Sequence, residues 1–108
     1  MSEVSARLNH DYAMLSQKLL QHAPKAGLYE SDIAGLSFAR RDDPERRQNV
    51  LIAPGVGLMV QGGKQAVLGT REIEYHRGQY LVSCVDMPSS FRVICSPDKP
   101  CLTVILRL

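Results

Sequence analysis

Leu58-Met59-Val60-Gln61-Gly62-Gly63-Lys64-Gln65-Ala66-Val67-Leu68 is the stretch that decides the fold class. Two short runs rich in apolar and branched side chains flank a glycine pair, and glycine accepts the positive φ of a tight turn without steric cost. The reading is strand, hairpin turn, strand. The same texture extends outward on both sides. It places strands near Leu36-Arg40, Val50-Ile52, Gly57-Gln61, Gln65-Leu68, Glu72-Tyr75, Tyr80-Val85, Phe91-Ile94 and Cys101-Leu106. Gly69-Thr70 and Arg77-Gly78 punctuate the middle strands, while Asp86-Met87-Pro88-Ser89 and Ser96-Pro97-Asp98-Lys99-Pro100 mark later loops. No helix-length period follows Gly27. The chain is expected to be mainly β, an antiparallel sandwich or barrel with several hairpins.

Upstream the period changes. Val4, Leu8, Tyr12, Leu15 and Leu19 recur at steps of three and four, the spacing of one apolar stripe on a helix. Ser2 or Ser5 is a candidate cap, and His22-Ala23-Pro24 should end the helix, because proline disfavours helical geometry in the residue before it. The stripe does not say whether the helix packs on its own domain or on a partner. The expected organisation is a helical segment at 1–26 and one β domain at 27–108. At 108 residues the chain has room for a single domain. The last strand, Cys101-Leu102-Thr103-Val104-Ile105-Leu106, is followed by no closing turn. An uncovered apolar strand there would invite aggregation, so the expectation is a chain that continues past Leu108 or an assembly contact.

Thirteen Lys and Arg against eleven Asp and Glu leave a net charge of +2, too small for a dedicated nucleic-acid binder. The densest charges, Arg40-Arg41-Asp42-Asp43-Pro44-Glu45-Arg46-Arg47, mix signs around a proline and read as a solvated loop. No apolar run reaches the roughly 20 residues that cross a bilayer, and the N-terminus has no secretion-signal pattern, so a cytoplasmic protein without membrane contact is expected. Cys84, Cys95 and Cys101 are odd in number and form no Cys-x-x-Cys, which speaks against a disulfide framework or thiolate zinc site.

His10 and His22 fall on the helix and only His76 in the β region, so no three-imidazole metal site is expected, and no cofactor. Gly55-Val56-Gly57 and Gly62-Gly63-Lys64 lack phosphate-loop spacing: position 58 is leucine where the first glycine belongs, and Gln65 follows the lysine. They read as turn punctuation. Cys84, in an apolar run with no elbow motif, reads as a core residue and not as a nucleophile. Cys95 and Cys101 would face each other across a hairpin if their strands pair, although a reducing compartment disfavours a disulfide. Phe38, Met59, Gln61, Tyr80 and Phe91 are the candidate ligand-binding residues, with Tyr75 beside them, because large or polarisable groups on barrel walls can line a small-molecule cavity. The alternative for all of them is ordinary core filling. Met59 and Gln61 would share one face by strand alternation, and an inward glutamine needs a hydrogen-bonding partner, from protein or ligand. An outward, solvated Gln61 fits the pattern equally.

Leu58-Met59-Val60-Gln61-Gly62-Gly63-Lys64, then Val67-Leu68-Gly69, Glu74-Tyr75, Gly78-Gln79-Tyr80-Leu81-Val82 and Val85-Asp86-Met87-Pro88, resemble in order and spacing the N-terminal domain of a branch of AraC-type transcription regulators. The resemblance covers about Gly27 to Leu108. It implies a cupin-like antiparallel β-barrel or jelly roll that binds an effector or mediates homodimer formation, with DNA read by a separate domain carrying helix-turn-helix motifs. Gly78 and Pro88 echo a wider cupin layout, but the metal-binding histidines of cupin enzymes have no match. A regulatory, non-catalytic module is therefore the expectation. A small cupin enzyme and a stand-alone interaction protein are the rival readings, and fold resemblance alone does not transfer specificity.

Overall fold

The computed structural model describes residues 3–96 and 98–108, with side chains from residue 6 onward. The proposed cap at Ser2, the share of Val4 in the helix stripe, and Pro97 of the last loop lie outside what is described, while Ser5 falls inside helix α1 and so does not precede its start. Helix α1 spans Glu3–His22 and stops two residues short of Pro24. Its stripe turns onto its own domain: Tyr12, Leu15 and Leu19 pack with Val60, Leu102, Phe38 and Val104. Arg40 Nη1 donates to the Ala23 carbonyl at 2.8 Å, which satisfies an acceptor that the end of the helix leaves open.

The strands are β1 (Gly27–Glu30), β2 (Leu36–Arg41), β3 (Gln48–Ile52), β4 (Gly55–Gln61), β5 (Gly63–Leu68), β6 (Arg71–His76), β7 (Tyr80–Ser83), β8 (Met87–Ile94) and β9 (Cys101–Arg107). Four antiparallel pairings, β2 with β9, β3 with β8, β4 with β7 and β5 with β6, fold the chain back on itself about the β5–β6 turn. Two further pairings, β4 with β9 and β5 with β8, roll that double ribbon into two sheets, ordered β1-β2-β9-β4-β7 and β3-β8-β5-β6. This is the strand order of a jelly roll, the architecture that cupins share. The expected antiparallel β fold with an N-terminal helix is therefore what forms. Its two sheets face each other as a sandwich, and no pairing among the described strands closes them into a barrel.

Alternation along β4 and β9 makes two cores. Met59 and Cys101 point between the sheets, where they meet Ala66, Tyr75, Phe91 and Val93. Val60 and Leu102 point the other way, under α1. Because both faces of β9 are covered from Cys101 to Ile105, that stretch reads as a nearly continuous apolar run.

Several expectations change. Gly62-Gly63 is not a hairpin turn, since β4 and β5 belong to different sheets. Gly62, with φ of +80°, turns the chain across the sandwich, where a side chain would press on the Ile94 carbonyl at 2.8 Å. The true two-residue hairpin is Gly69-Thr70, between Leu68 and Arg71, with positive φ at Gly69. Gly55 and Gly57 lie within β4 instead of punctuating a turn. The expected loop at Met87-Pro88-Ser89 is strand: Pro88 pairs with Leu51 of β3, while the β5 ladder ends at Ser89, so its missing N–H is not demanded on that side. β8 and β9 lie in different sheets, so Cys95 and Cys101 do not face each other across a hairpin. Cys84 is exposed beyond the end of β7, not in the core. The last strand is central, paired on both sides, and offers no open edge. Finally, β1 adds a short edge strand that the sequence reading left out.

Candidate functional site

Seven inward positions on the facing sheets carry small side chains or none: Ser37, Ala39, Gly55, Gly57, Ala66, Ser83 and Ser89. Sheets packed roughly 10 Å apart need larger groups to fill the space between them. What results is a cavity of about 380 Å3, within the range of small-molecule sites. Val50, Leu51 and Ile52 of β3 and Leu28 of β1 line its side, where the outer strands of the two sheets face each other unpaired. Gly57 is not forced to be glycine by crowding, because a Cβ there would find only Thr103 Cγ2, at 3.9 Å.

The lining is cationic. Ser37, Ala39 and Arg41 alternate on β2, so Arg41 points between the sheets with Ala39 and not into the solvated loop expected for its charge cluster. Lys64 shares the inward face of β5 with Ala66, and its Nζ sits 4.6 Å above the ring of Phe91. Burial holds the Lys64 ammonium below the ordinary lysine value; nearby Cys101 works against this and Arg41 reinforces it. Among the described residues no carboxylate lines the cavity, and the ion pairs are Arg40 with Asp42, His76 with Glu74 and Arg107 with Glu30. Arg107 also reaches the lining, but it is paired. Among the described residues Arg41 and Lys64 enter no ion pair.

Polar groups are stranded here as well. Among the described residues the buried side-chain atoms without a hydrogen-bond partner are Ser37 Oγ, Arg41 Nε and Ser89 Oγ. All three residues line this one cavity. Each unsatisfied group costs about 1–3 kcal/mol, so their convergence is unfavourable unless something in the cavity takes up the bonds. Tyr75, at the same wall, has its phenol pushed up to about 12, chiefly by burial, so it stays a neutral hydroxyl. Burial likewise raises the Cys101 thiol, whose sulfur lies 3.5 Å from Met59 Sδ. Neither supplies a nucleophile at neutral pH.

The five sequence-based candidates do not come together. Phe91 lines the cavity. Met59 is fully buried in the packed core next to it. Phe38 faces α1 and stacks on Tyr29, ring centroids 5.3 Å apart. Tyr80 is 66% exposed on the outer face of the first sheet. Gln61 donates through Nε2 to the Pro100 carbonyl at 2.9 Å, so its partner is protein. A bulge between Met59 and Gln61 breaks the alternation: Met59 pairs with Thr103 and Gln61 with Leu102, which puts them on opposite faces. Ser37, Arg41, Lys64 and Ser89 are not among the sequence-based ligand candidates. The available signal was phase, since Arg41 is in step with Ser37 and Ala39, and Lys64 with Ala66.

The described histidines stand apart, two on α1 and His76 beside Glu74 at the end of β6, and no three metal-binding side chains come together among the described residues. Fold and site together define a jelly-roll domain with a cavity between its sheets, into which Arg41 and Lys64 project. Residues 32–108 match the family described as the AraC-type transcriptional regulator N-terminus, and the chain belongs to that family. No curated protein matches it. Among solved structures it is similar to the EutQ protein of Clostridium difficile, with a TM-score of 0.47 and 12% identity over 82% of this chain and 60% of that one. It is also similar to apo-HppE, with a TM-score of 0.45 and 9% identity over 77% and 55% of the two chains. The KdgF structure from Halomonas sp. gives a TM-score of 0.39 and 14% identity over 74% and 87%. The chain thus spans little more than half the length of the first two.

Proposed function

We propose that this domain senses an effector for its regulator: a small molecule enters between the two sheets, and occupancy changes how an attached DNA-reading domain is presented. The observation that carries this reading is the convergence of the stranded Ser37 Oγ, Arg41 Nε and Ser89 Oγ on one cavity. A ligand acts in this way only through different affinities for two arrangements of the regulator. On this reading the β domain at 27–108 holds the effector and α1 braces the outer face of the first sheet. DNA is reached through a separate domain, the setting is the cytoplasm, and the cavity has no catalytic role. Homodimer formation fits the apolar side chains left on the first sheet's outer face, where Val82 is 51% exposed and Leu106 45%. Sedimentation should then give a mass near twice that of the 12.0 kDa chain, and a monomer at all concentrations would remove the dimer from the proposal.

The test is a thermal-shift screen against metabolites, run on the natural sequence and on Gly57→Leu, which extends a side chain into the cavity where a Cβ is sterically allowed. A ligand selective for the folded state raises the melting temperature. The expected result is at least one compound that stabilises the natural protein and not Gly57→Leu. Equal stabilisation of both, or no stabilising compound, would overturn the reading.

A further inference from the structure

We infer that the effector is a compact organic anion, whose carboxylate or phosphate head sits between Arg41 and Lys64 and whose apolar body lies along Ala39, Ala66, Phe91 and Ile105. This rests on the effector-binding reading and adds the chemical class of the ligand. The two cations come from opposite sheets, and each reaches the cavity because an inward-facing strand position carries it. Arg41 is paired in register with Cys101, and the Cys101 sulfur lies 3.5 Å from the carbonyl of Gly63, the residue before Lys64. The two side chains therefore enter at the same end of the sandwich.

A pair of like charges without a carboxylate is repulsive and poorly solvated, and an anion between them would relieve both costs. A guanidinium offers the directed donors that carboxylate and phosphate oxygens accept, and Arg41 lines the cavity. Toward the other end, Ser37 pairs in register with Ile105 and Ser89 with Leu68, so both hydroxyls lie beyond the apolar middle. They suit a hydrogen-bonding group at the far end of the ligand.

The experiment is calorimetric titration of the intact chain with hexanoate, benzoate, 4-hydroxybenzoate and phenyl phosphate, with the neutral partners hexanamide, benzamide and 4-hydroxybenzamide, and with inorganic phosphate alone. Lys64→Met and Arg41→Met are measured in parallel. At least one organic anion should bind, roughly tenfold or more tighter than its neutral partner. Each variant should lose that advantage while binding the neutral compound as before, a readout that a merely unfolded variant would not give. Acid and amide binding equally well would overturn the charge assignment and leave the cavity reading standing. Inorganic phosphate binding as tightly as phenyl phosphate would overturn the apolar half. If none of the acids binds while the metabolite screen yields a neutral ligand, the inference fails alone; if both are blank, the effector reading fails with it.

Discussion

Lys64 is the residue on which stability and binding pull in opposite directions. Its ammonium is desolvated between the sheets, faces Arg41 from β2 and Cys101 from β9, and has Phe91 as its close partner, with no carboxylate. Replacing it by methionine keeps the stem, removes the buried charge and should raise the melting temperature of the ligand-free domain, by roughly 4–8 °C per kcal/mol gained in a domain of this size. The sign of the pH dependence follows from the direction of the shift. A lysine held below its ordinary 10.5 in the fold takes up protons more readily when unfolded, so its cost is full below its folded value and fades as pH rises from there toward 10.5. The stability gap between Lys64→Met and the natural protein should therefore narrow over that range in thermal melts, and a gap that widens would contradict the assignment. Its inward position is hard to see in the sequence for a physical reason. A lysine after two glycines resembles a turn, and only strand phase, in step with Ala66, marks it as inward. Arg41 was hidden by its acidic and basic neighbours, which do form an exposed loop directly after it.

At the scale of elements, α1 and the β4 bulge decide what is legible. The helix period alone located α1, and packing bears out the later part of its stripe, since Leu19 lies against Val60 and Leu102 with Tyr12 and Leu15 beside it, whereas Leu8 is 51% exposed. Leu19→Ala should cost about 2–4 kcal/mol, read as a shift in the urea midpoint, because it removes a buried leucine from a site closed by a sheet on one side. A loss below about 0.5 kcal/mol would show that α1 is not docked there in solution. Strand existence was legible from β-branched and aromatic runs, and most boundaries fall within a few residues. Pairing was not. In a jelly roll the partners of β4 are β7 and β9, far along the chain, while its chain neighbour β5 crosses to the other sheet. A glycine turn looks the same locally whether it closes a hairpin or carries the strand across the sandwich. The bulge at Val60 has the same consequence for the site: one extra residue reverses the face of Gln61, which simple alternation had set beside Met59.

At the scale of the molecule, the wrapped ribbon leaves two sheets that meet closely at Met59, Phe91 and Val93 and part where glycine, alanine and serine face inward. Fold class and family were readable early, because serial spacing of short motifs survives where single residues carry little. The cavity was not, since it is made by residues distant in sequence whose only shared property is being small. On the proposed function this space, and no other surface, receives the effector. Amide chemical shifts of the isotope-labelled chain, followed during titration with the acid that binds it best, test this most directly. The largest changes are expected at Ser37 and Arg41 on β2, Lys64 on β5 and Ser89 on β8, with α1 nearly silent. Changes centred on Tyr80 and Val82, on the outer face of the first sheet, would contradict the proposal.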